Sequence, residues 1–327
     1  MAHNGVIGFD VGGTKCAVIL GLVDGAQPPR ILGKSRFPTR ETGSPSACLD
    51  RMCREAKALL SEHGVELEQL TGVGISCGGP LDSRRGVILS PPNLPGWIDV
   101  PAVELVSKHF SCPVRLQNDA NAGAVAEWKF GAGRGFRSLA FLTFGTGLGA
   151  GLILDGRLYA GADDLAGECG HLRLAPYGPV GFGKAGSFEG FCSGGGLAQL
   201  ARCRVREALQ SGESVAWCAS LSDLERIDAK LVADAADGGD ELARSIYAEC
   251  GSHLGRGLSI LIDLLNLEAI VIGSIFARSE SLLRPAMERE IAREAIPAAA
   301  RRCRVVPAAL AERIGDYAAL AVAAGEF

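Results

Sequence analysis

Two glycine-rich turns are the segments of this chain best suited to chemistry. They read FDVGGTK over Phe9–Lys15 and FGTGLGAG over Phe144–Gly151, and an apolar stretch precedes each. A turn between strands presents successive backbone N–H groups to phosphate oxygens when no Cβ blocks the approach. Two such turns, each with a threonine among its glycines, predict two half-sites that close on one nucleotide.

A carboxylate stands between the turns, in LQNDANA over Leu116–Ala122. Asp119 follows a short apolar stretch and precedes a helical one, so one interpretation is a helix N-cap. Asn118, Asp119 and Asn121 together exceed what a cap needs. The other interpretation is a general base that takes a proton from a substrate hydroxyl as its oxygen attacks a phosphoryl group. Phosphoryl transfer depends mainly on positioning and charge, so one aspartate, two phosphate turns and Mg²⁺ suffice.

Further polar residues follow the second turn, in AGECGHLRL over Ala166–Leu174. A Glu-x-x-His pair such as Glu168 and His171 is also typical of an ordinary surface turn. Here the pair leads into a glycine-rich loop that carries Glu189. Because a sugar ring needs several fixed donors and acceptors, these side chains predict contacts to paired hydroxyl groups.

Composition limits the classes of function. The chain has 327 residues, which favours two domains, and a net charge of −4. It has no Lys/Arg-dense stretch that would follow a nucleic-acid backbone, so no nucleic-acid partner is expected. It shows neither a signal-peptide pattern nor an apolar run of about 18 residues, so we expect no membrane span and a cytoplasmic protein.

The cysteines point to the same compartment. There are eleven, from Cys16 to Cys303, without a CxxC pair. This spacing is typical of reduced, buried thiols and does not suit a disulfide framework or a zinc cluster.

Hydrophobic periodicity predicts an alternation of strands and helices. Strands are expected at Val6–Asp10, Cys16–Val23, Ile31–Phe37, Val73–Cys77, Val114–Gln117, Ser138–Phe144, Ala150–Leu154, Ala269–Ile272 and Cys303–Val306. Helices are expected at Ser46–His63 (with Ser44 or Ser46 as N-cap), Pro101–Phe110, Ala120–Phe130, Leu197–Leu209, Leu221–Ala236, Asp240–Leu265, Ser279–Ala292 and Gly315–Ala324.

Two long loops complete this pattern. Gly78–Gly96 is long for a connection, and such loops are usually functional. Gly178–Gly196 is expected to contribute nothing to a core. The recurrence of a strand–glycine turn–strand unit near residues 6–23 and 138–154 predicts two related halves.

The combined motifs resemble those of the ROK family (repressors, open reading frames, kinases), a branch of the actin–hexokinase–Hsp70 superfamily. The resemblance covers nearly the whole chain. It is carried by two phosphate motifs, a catalytic-aspartate motif, a loop that covers the sugar, and an ExGH element: DVGGTK (Asp10–Lys15), GTGLGAG (Gly145–Gly151), NDANA (Asn118–Ala122), GGPLD…SPPNLPGW (Gly78–Trp97) and GECGH (Gly167–His171).

This resemblance implies an α/β fold of two ribonuclease-H-like, actin-like ATPase domains with an interdomain cleft. The small domain is expected at 1–117, joined by a C-terminal helix at about 305–327, and the large domain at 118–304. Family members are commonly dimers, so a homodimer is expected.

The resemblance also implies roles for individual residues. Asp119 becomes the catalytic base, and Asp10 orients Mg²⁺ through water. The sugar contacts are Gly79, Asn93, Asn118, Asp119, Glu168, His171 and Glu189. The ATP phosphates are held by Gly12, Gly13, Thr14, Lys15, Gly145, Thr146 and Gly147, with Gly273 nearer the adenosine.

Two departures from the family pattern bear on these roles. Many members carry a zinc knuckle after the ExGH element, but Val180, Phe182 and Ser187 stand at the cysteine positions here. Because zinc needs thiolate or imidazole ligands, no structural zinc is expected, and Phe182 and Phe188 are expected to hold the loop by packing. In IVIGSIF (Ile270–Phe276), Ser274 replaces one of the family's paired glycines.

The resemblance therefore implies an ATP-dependent kinase that phosphorylates the 6-hydroxyl of a hexose, with glucose favoured by NLPGW (Asn93–Trp97). N-acetylmannosamine, N-acetylglucosamine, fructose and allose remain alternative substrates, and polyphosphate an alternative donor. A non-catalytic sugar sensor is a different class. A sugar-responsive repressor is disfavoured because the first phosphate motif begins at Asp10, which leaves no room for a DNA-binding segment before it.

Overall fold

The structure is a computed structural model that describes residues 4–23 and 28–325. The chain forms two compact units. The first unit comprises the described residues of Met1–Arg137, Gly151–Ala166 and the described part of Ala309–Phe327. The second comprises Ser138–Ala150 and Gly167–Ala308. The predicted domain boundary between residues 117 and 118 stays a prediction of the sequence.

The secondary structure is mixed. The strands are β1 (Asn4–Val11), β2 (Lys15–Val23), β3 (Arg30–Pro38), β4 (Leu70–Cys77), β5 (Leu81–Asp82), β6 (Val87–Ile88), β7 (Val114–Asn118), β8 (Leu139–Leu142), β9 (Ala150–Leu154), β10 (Arg157–Leu158), β11 (Val180–Gly181), β12 (Lys184–Ala185), β13 (Ala269–Ile272) and β14 (Arg304–Pro307). The helices are α1 (Pro45–Glu62), α2 (Ala102–Ser107), α3 (Asp119–Phe130), α4 (Phe188–Phe191), α5 (Gly194–Gln210), α6 (Ala229–Asp237), α7 (Glu241–Leu265), α8 (Ile275–Arg278), α9 (Glu280–Glu294), α10 (Pro297–Arg302) and α11 (Ile314–Ala324).

The first unit is built on a five-stranded sheet in the order β3-β2-β1-β4-β7. Strands β1, β2 and β3 pair antiparallel, whereas β4 pairs parallel with both β1 and β7. Consecutive side chains of a strand point to opposite faces. Ile7 and Phe9 therefore join one buried cluster, which also contains residues of α1, while Val6 packs with Ala319 and Leu320 of α11 on the other face.

Close packing explains the small residues where α11 crosses β1. A Cβ at Gly8 would lie 2.8 Å from the Cβ of Ala319, so only glycine fits beneath this alanine-rich helix. The strand that leads into the first glycine turn is thereby held flat against α11. This contact fixes the position of Asp10 at the end of the same strand.

The second unit contains the parallel strands β8, β13 and β14, with β13 pairing to both of the others. The first unit uses the same parallel pairing for β1, β4 and β7. In each case the strand that precedes a glycine turn is one of the three. This similarity agrees with the two related halves expected from the sequence.

Helix ends follow the capping chemistry of the sequence. Ser44 caps α1 by accepting a hydrogen bond from the Ala47 amide, which selects Ser44 over Ser46. Asn118 caps α3 through bonds from the Ala120 and Asn121 amides. Asp240 caps α7 through the Ala243 amide.

The predicted strands and helices are confirmed apart from small shifts in their ends and two corrections. The helix expected at Leu221–Ala236 is a 3-10 helix at Leu221–Arg226 followed by α6, because Asp228 starts a new helix as an N-cap. The loop Gly178–Gly196 was expected to contribute nothing to a core, and this is wrong. It contains α4, whose Phe188 and Phe191 are buried.

All eleven cysteines are free thiols. Within the described ranges, no helix combines the length and apolar character that a membrane crossing requires.

Candidate active site

The first glycine turn, Gly12–Thr14, joins β1 to β2 in the first unit. The hydroxyl of Thr39 donates to the Gly12 carbonyl at 2.6 Å, and the Thr39 amide donates to the Thr14 carbonyl at 3.0 Å. A Cβ at Gly13 would lie 2.1 Å from the carbonyl oxygen of Asn93. The turn is therefore held by its own unit before any ligand binds, and Lys15 begins β2 with an exposed side chain.

Asp10 lies at the end of β1, just before this turn. Burial, followed by the nearby carboxylates of Asp119 and Asp316, raises its pKa to about 6, while Lys34 and Arg36 oppose the shift. Asp316 forms an ion pair with Lys34. Asp119 and Asp316 both lie within electrostatic reach of Asp10, so a cation beside Asp10 would favour its ionised form.

Asp119 is the first residue of α3 rather than its cap, because Asn118 fills the cap position. One oxygen of Asp119, Oδ1, accepts a hydrogen bond from the Ala120 amide at 2.8 Å. The other, Oδ2, would lie 3.9 Å from a Cβ at Gly78. The side chain faces solvent, yet desolvation by surrounding protein atoms raises its pKa, against the opposing effect of the Ala120 amide.

The loop Gly78–Trp97 runs beside Asp119 and Asn118. Gly79 lies where a Cβ would be 3.2 Å from the side-chain nitrogen of Asn118. Within NLPGW the side chain of Asn93 is exposed, whereas Leu94 and Trp97 are buried in the core of the first unit. These two apolar residues anchor the loop, and Asn93 is the exposed residue of the motif that carries a polar side chain.

The second glycine turn lies in the second unit and is closed by its own hydrogen bonds. The Thr143 amide donates to the Gly149 carbonyl at 3.0 Å, and the Gly145 amide donates to the Gly147 carbonyl at 2.9 Å. The Gly145 carbonyl accepts from the amide of Gly194, at the start of α5, at 2.7 Å. The turn and the beginning of a long helix are therefore adjacent.

The three predicted sugar contacts of the second unit occupy different environments. Glu168 is exposed. The ring of His171 packs edge-to-face on Phe182 at 5.1 Å between centroids, and its carbonyl accepts from Lys184 Nζ at 2.7 Å. Glu189 accepts a hydrogen bond from the Leu148 amide at 3.0 Å through Oε2, so one of its oxygens braces the second glycine turn.

The segment that replaces the zinc knuckle is a short hairpin of β11 and β12. Gln199 of α5 bonds both the amide and the carbonyl of Val180, at 3.0 and 2.9 Å. Phe188 is fully buried as expected, but Phe182 is 67% exposed and does not hold the loop from within. Among residues 4–23 and 28–325, no cluster of three His, Cys, Asp or Glu side chains is placed to bind a metal ion.

A cavity of about 660 Å³ opens beside the second glycine turn. It is lined by residues of the turn, of the start of α5, of α6 and α7, and of the segment around α8: Gly145, Thr146, Gly194, Gly195, Asp228, Ala229, Lys230, Ala233, Asp234, Asp237, Tyr247, Ser274, Ile275, Arg278 and Ser279. Pockets of this size hold drug-sized ligands and cofactors.

Sequence reasoning found Gly145 and Thr146 of this cavity but missed most of its wall. A detectable signal was SGGG at Ser193–Gly196, because a serine cap followed by glycines opens a helix whose N–H groups can face an anion. Gly273, predicted near the adenosine, is buried and its amide donates to the Leu142 carbonyl, and the adjacent Ser274 lines the cavity. The contact of Gly273 with a nucleotide stays a prediction.

Comparison with known proteins agrees with this description. The family model for the ROK family matches residues 6–325. The chain is 33% identical to a glucokinase of Streptomyces coelicolor over 268 residues, which cover 82% of this chain and 80% of the relative.

Two solved structures share the fold. One is a ROK family glucokinase of Streptomyces griseus in complex with glucose and AMPPNP, with 30% identity and a TM-score of 0.77 over 98% of this chain and 100% of that one. The other is a ROK family transcriptional regulator, a homologue of the Escherichia coli MLC protein, with 25% identity and a TM-score of 0.83 over 97% of this chain and 77% of that one. The expected α/β, actin-like ATPase fold is thus confirmed, and the chain belongs to the ROK family.

Proposed function

We propose that this chain is an ATP-dependent sugar kinase that phosphorylates the 6-hydroxyl of a hexose, with Asp119 as the general base. The observation that carries this proposal is that the neighbouring residues Asn118 and Asp119 have different roles at the start of α3. Asn118 caps α3, so Asp119 is not needed for capping and keeps Oδ2 beside Gly78. A carboxylate so placed accepts a proton from a hydroxyl that attacks a phosphoryl group.

The phosphoryl donor is proposed to be ATP. In the second unit, the turn at Gly145–Gly147 and the start of α5 are adjacent, and both contribute to the wall of the 660 Å³ cavity. Backbone amides of a glycine turn and of a helix N-terminus suit phosphates, while the remaining cavity has room for a nucleoside. In the first unit, Gly12, Gly13 and Thr14 form the matching turn, with Lys15 directly after it.

Magnesium fits the carboxylates of the first unit. Mg²⁺ prefers hard oxygen donors and usually keeps several waters, which suits an aspartate that acts through water. Asp10 would orient the ion through water, and a cation there would offset the effects of burial and of the carboxylates of Asp119 and Asp316, which raise the pKa of Asp10. When bound with ATP, the ion neutralises charge on the phosphates. The carboxylate of Asp10 gives it an anchor beside the turn that begins two residues later.

The sugar contacts are proposed to be Asn93, Asn118, Glu168, His171 and Glu189, with backbone contacts from Gly79. Asn118 uses Oδ1 for capping, so its Nδ2, next to Gly79, is the group that would meet a sugar hydroxyl. Glu189 has one oxygen on Leu148 and one remaining. Carboxylate, imidazole and amide groups together supply the mixed donors and acceptors that a pyranose requires.

Glucose is the first candidate among the hexoses. The glucokinases of both Streptomyces species are similar over most of this chain, which supports glucose as substrate. Leu94 and Trp97 of NLPGW are core residues, and Asn93 is the exposed polar side chain of this motif that would meet a sugar. A pocket for an acetamido group differs by few side chains, and such differences are worth about 1–3 kcal/mol. The kinases of N-acetylmannosamine, N-acetylglucosamine, fructose and allose are the alternatives.

A non-catalytic sugar sensor is the second candidate. The similarity to a transcriptional regulator supports it, since that protein shares the fold with a TM-score of 0.83. A sensor needs the sugar contacts but neither a base nor a nucleotide pocket. The position of Asp119 Oδ2 beside Gly78 and the cavity beside Gly145 favour the kinase.

The deciding experiment is release of ADP from Mg²⁺-ATP across glucose, mannose, fructose, allose, N-acetylglucosamine and N-acetylmannosamine. Polyphosphate is tested as donor in a parallel arm, and Asp119→Asn serves as the matched inactive variant. Turnover of one sugar that the variant loses supports the kinase and identifies its substrate. Sugar binding in calorimetry without turnover of any sugar would overturn the kinase in favour of the sensor.

A further inference from the structure

Ser274 has a backbone conformation that side-chain-bearing residues rarely adopt. Its φ is +54° and its ψ is −113°, a combination that glycine reaches without strain. It follows β13 and precedes α8, and the amide of the next residue, Ile275, bonds the Phe144 carbonyl at 3.0 Å. The strand before it and this bond after it fix the backbone, so the strain of a serine is imposed by the fold.

The side chain of Ser274 is directed to the phosphate end of the cavity. Its hydroxyl oxygen would lie 3.5 Å from a Cβ at Gly145, the first glycine of the second turn. Ser274, Gly145 and Thr146 all line the same cavity, and Ser274 is only half-buried. A hydroxyl at this place is within reach of a group bound on the turn.

The contacts of the Ser274 hydroxyl within the protein do not explain why a serine stands at this strained position. Arg278 Nη2 lies 3.4 Å from Ser274 Oγ, which is long for a hydrogen bond. Ser274 precedes α8 at the N-cap position, yet its side chain accepts no capping hydrogen bond. Strained residues persist mainly where a site uses them, and the hydroxyl is the group that a glycine at this position would lack.

We propose that Ser274 is a binding residue for the phosphoryl donor, and that its hydroxyl donates a hydrogen bond to the phosphate chain held at Gly145 and Thr146. The inference rests on the proposed use of a nucleotide by this cavity. It concerns the donor alone, because Ser274 lies with the phosphate turn of the second unit rather than with the predicted sugar contacts. A hydroxyl that donates to an anionic oxygen makes one of the stronger neutral-to-charged hydrogen bonds.

Two substitutions distinguish the effect of the Ser274 hydroxyl from the effect of its strained backbone. Ser274→Ala removes the hydroxyl and keeps a Cβ at positive φ, while Ser274→Gly removes both. Ser245→Ala is the control, because Ser245 is exposed on α7 and its hydroxyl bonds only the Leu242 carbonyl of its own helix. The probes are Mg²⁺-ATP and, separately, tripolyphosphate, with binding measured by calorimetry and KM measured in the sugar assay.

Both Ser274 variants are expected to weaken Mg²⁺-ATP binding about tenfold. The KM for sugar should remain at the wild-type value. Only Ser274→Gly should also gain stability, with a Tm roughly 2–4 °C above that of Ser274→Ala. A parallel loss of tripolyphosphate affinity locates the contact on the phosphate chain and supports the proposal, while unchanged tripolyphosphate affinity overturns that location.

Wild-type ATP affinity in Ser274→Ala overturns the inference, whatever the sugar assay shows. Because binding is measured directly, a wild-type protein that binds ATP but turns over no sugar refutes the proposed function. The ATP affinities of the Ser274 variants then still decide this inference. A wild-type protein that binds neither ATP nor tripolyphosphate overturns both.

Discussion

Glu189 accepts a hydrogen bond from the backbone amide of Leu148, with 3.0 Å between Oε2 and the nitrogen. The same oxygen would lie 2.8 Å from a Cβ at Gly147, so the carboxylate is packed against the second glycine turn. Glu189 is proposed to contact the sugar, and Leu148 belongs to the turn proposed to hold ATP. Under this proposal, one side chain serves both the sugar site and the glycine turn of the second unit.

Substitution of Glu189 should separate these two parts. Glu189→Gln keeps an oxygen that can accept the Leu148 amide, so we expect a higher KM for sugar and a nearly unchanged KM for ATP. Glu189→Ala loses the brace as well, and both KM values should rise. The fall in kcat/KM is expected to be roughly 10- to 100-fold, because a hydrogen bond to a charged group is lost. Steady-state kinetics with each substrate varied in turn measures this.

Glu207→Ala is the matched control, since Glu207 is an exposed glutamate that pairs with Arg204 on α5. It should behave like the wild type. If Glu189→Gln raises the KM for ATP as much as Glu189→Ala does, the charge of Glu189 rather than its brace positions the turn.

The sequence predicted the elements of this fold well where a local pattern determines them. The apolar runs around the two glycine turns became β1, β2, β8 and β9, and the family resemblance pointed to the observed fold. It could not predict the bond between Glu189 and Leu148, because the two residues are 41 positions apart and only the fold brings them together.

Two further details lay beyond the sequence for the same reason. Asn118 and Asp119 are both good N-cap residues, and only the start of α3 shows which of them caps. The cavity beside Gly145 is assembled from five stretches between residues 145 and 279, and only the first of them belongs to a motif that the sequence marked as phosphate-binding.

Asp119→Asn should lower turnover by roughly 10²–10⁴, the usual contribution of a general base. An asparagine oxygen can still accept the Ala120 amide, and the cap from Asn118 is untouched, so the fold should be retained. Single-turnover kinetics, sugar-binding calorimetry and the Tm together test this. Turnover close to that of the wild type would refute the role of Asp119, and a lost sugar affinity would show a binding role instead.

Neighbouring glycines at the start of α5 should respond differently to alanine. A Cβ at Gly195 would meet only the Thr146 carbonyl, at 3.9 Å, whereas one at Gly196 would lie 1.9 Å from the Gly190 carbonyl. Gly195 lines the cavity, so Gly195→Ala should weaken ATP binding while α5 gains about 0.5–1 kcal/mol in helix propensity.

Gly196→Ala serves as the comparison and should destabilise the protein because α4 and α5 must separate. Thermal unfolding with and without Mg²⁺-ATP measures both effects. An unchanged ATP-dependent rise in Tm in Gly195→Ala would show that this glycine does not adjoin the nucleotide.

The contribution of Asp10 to the free energy of unfolding should decrease as the pH rises from 3.8 to about 6. Its pKa is about 6 in the folded protein against 3.8 for an ordinary aspartate, so between these pH values the folded state binds more protons than the unfolded state. Stability supplied by the protonated form is therefore complete below pH 3.8 and is lost as the pH rises through about 6. Asp10→Asn should remove this contribution. In denaturant titrations without magnesium, the unfolding free energy of Asp10→Asn relative to that of the wild type should therefore rise between pH 3.8 and about pH 6.

Added Mg²⁺ gives the test of function for the same residue. A bound cation favours the ionised carboxylate, so magnesium should lower the apparent pKa and stabilise the wild type above pH 6 but not Asp10→Asn. Equal stabilisation of both proteins would mean that Asp10 does not take part in holding the ion.

His253 should produce the opposite pH dependence in the second unit. Its ring stacks on Phe191 with 3.4 Å between centroids, and its buried Nδ1 has no hydrogen-bond partner among the described residues. Burial, followed by the charge of Arg256, lowers its pKa to about 4 from 6.5. The unfolded state therefore binds more protons between these values, so stability is full above pH 6.5 and falls as the pH drops towards 4.

His253→Phe should remove this acid sensitivity, because phenylalanine keeps a ring against Phe191 and has no proton to gain. The lowered pKa corresponds to a loss of about 3 kcal/mol of unfolding free energy between pH 7 and pH 4. Solvent relaxation around the partly buried ring makes the measured loss smaller than this. His109→Gln is the control, since His109 is a half-exposed residue of the first unit that pairs with Asp50. Denaturant titrations from pH 4 to pH 8 measure the difference in unfolding free energy between each variant and the wild type. A constant difference for His253→Phe across this range would show that folding does not lower the pKa of His253.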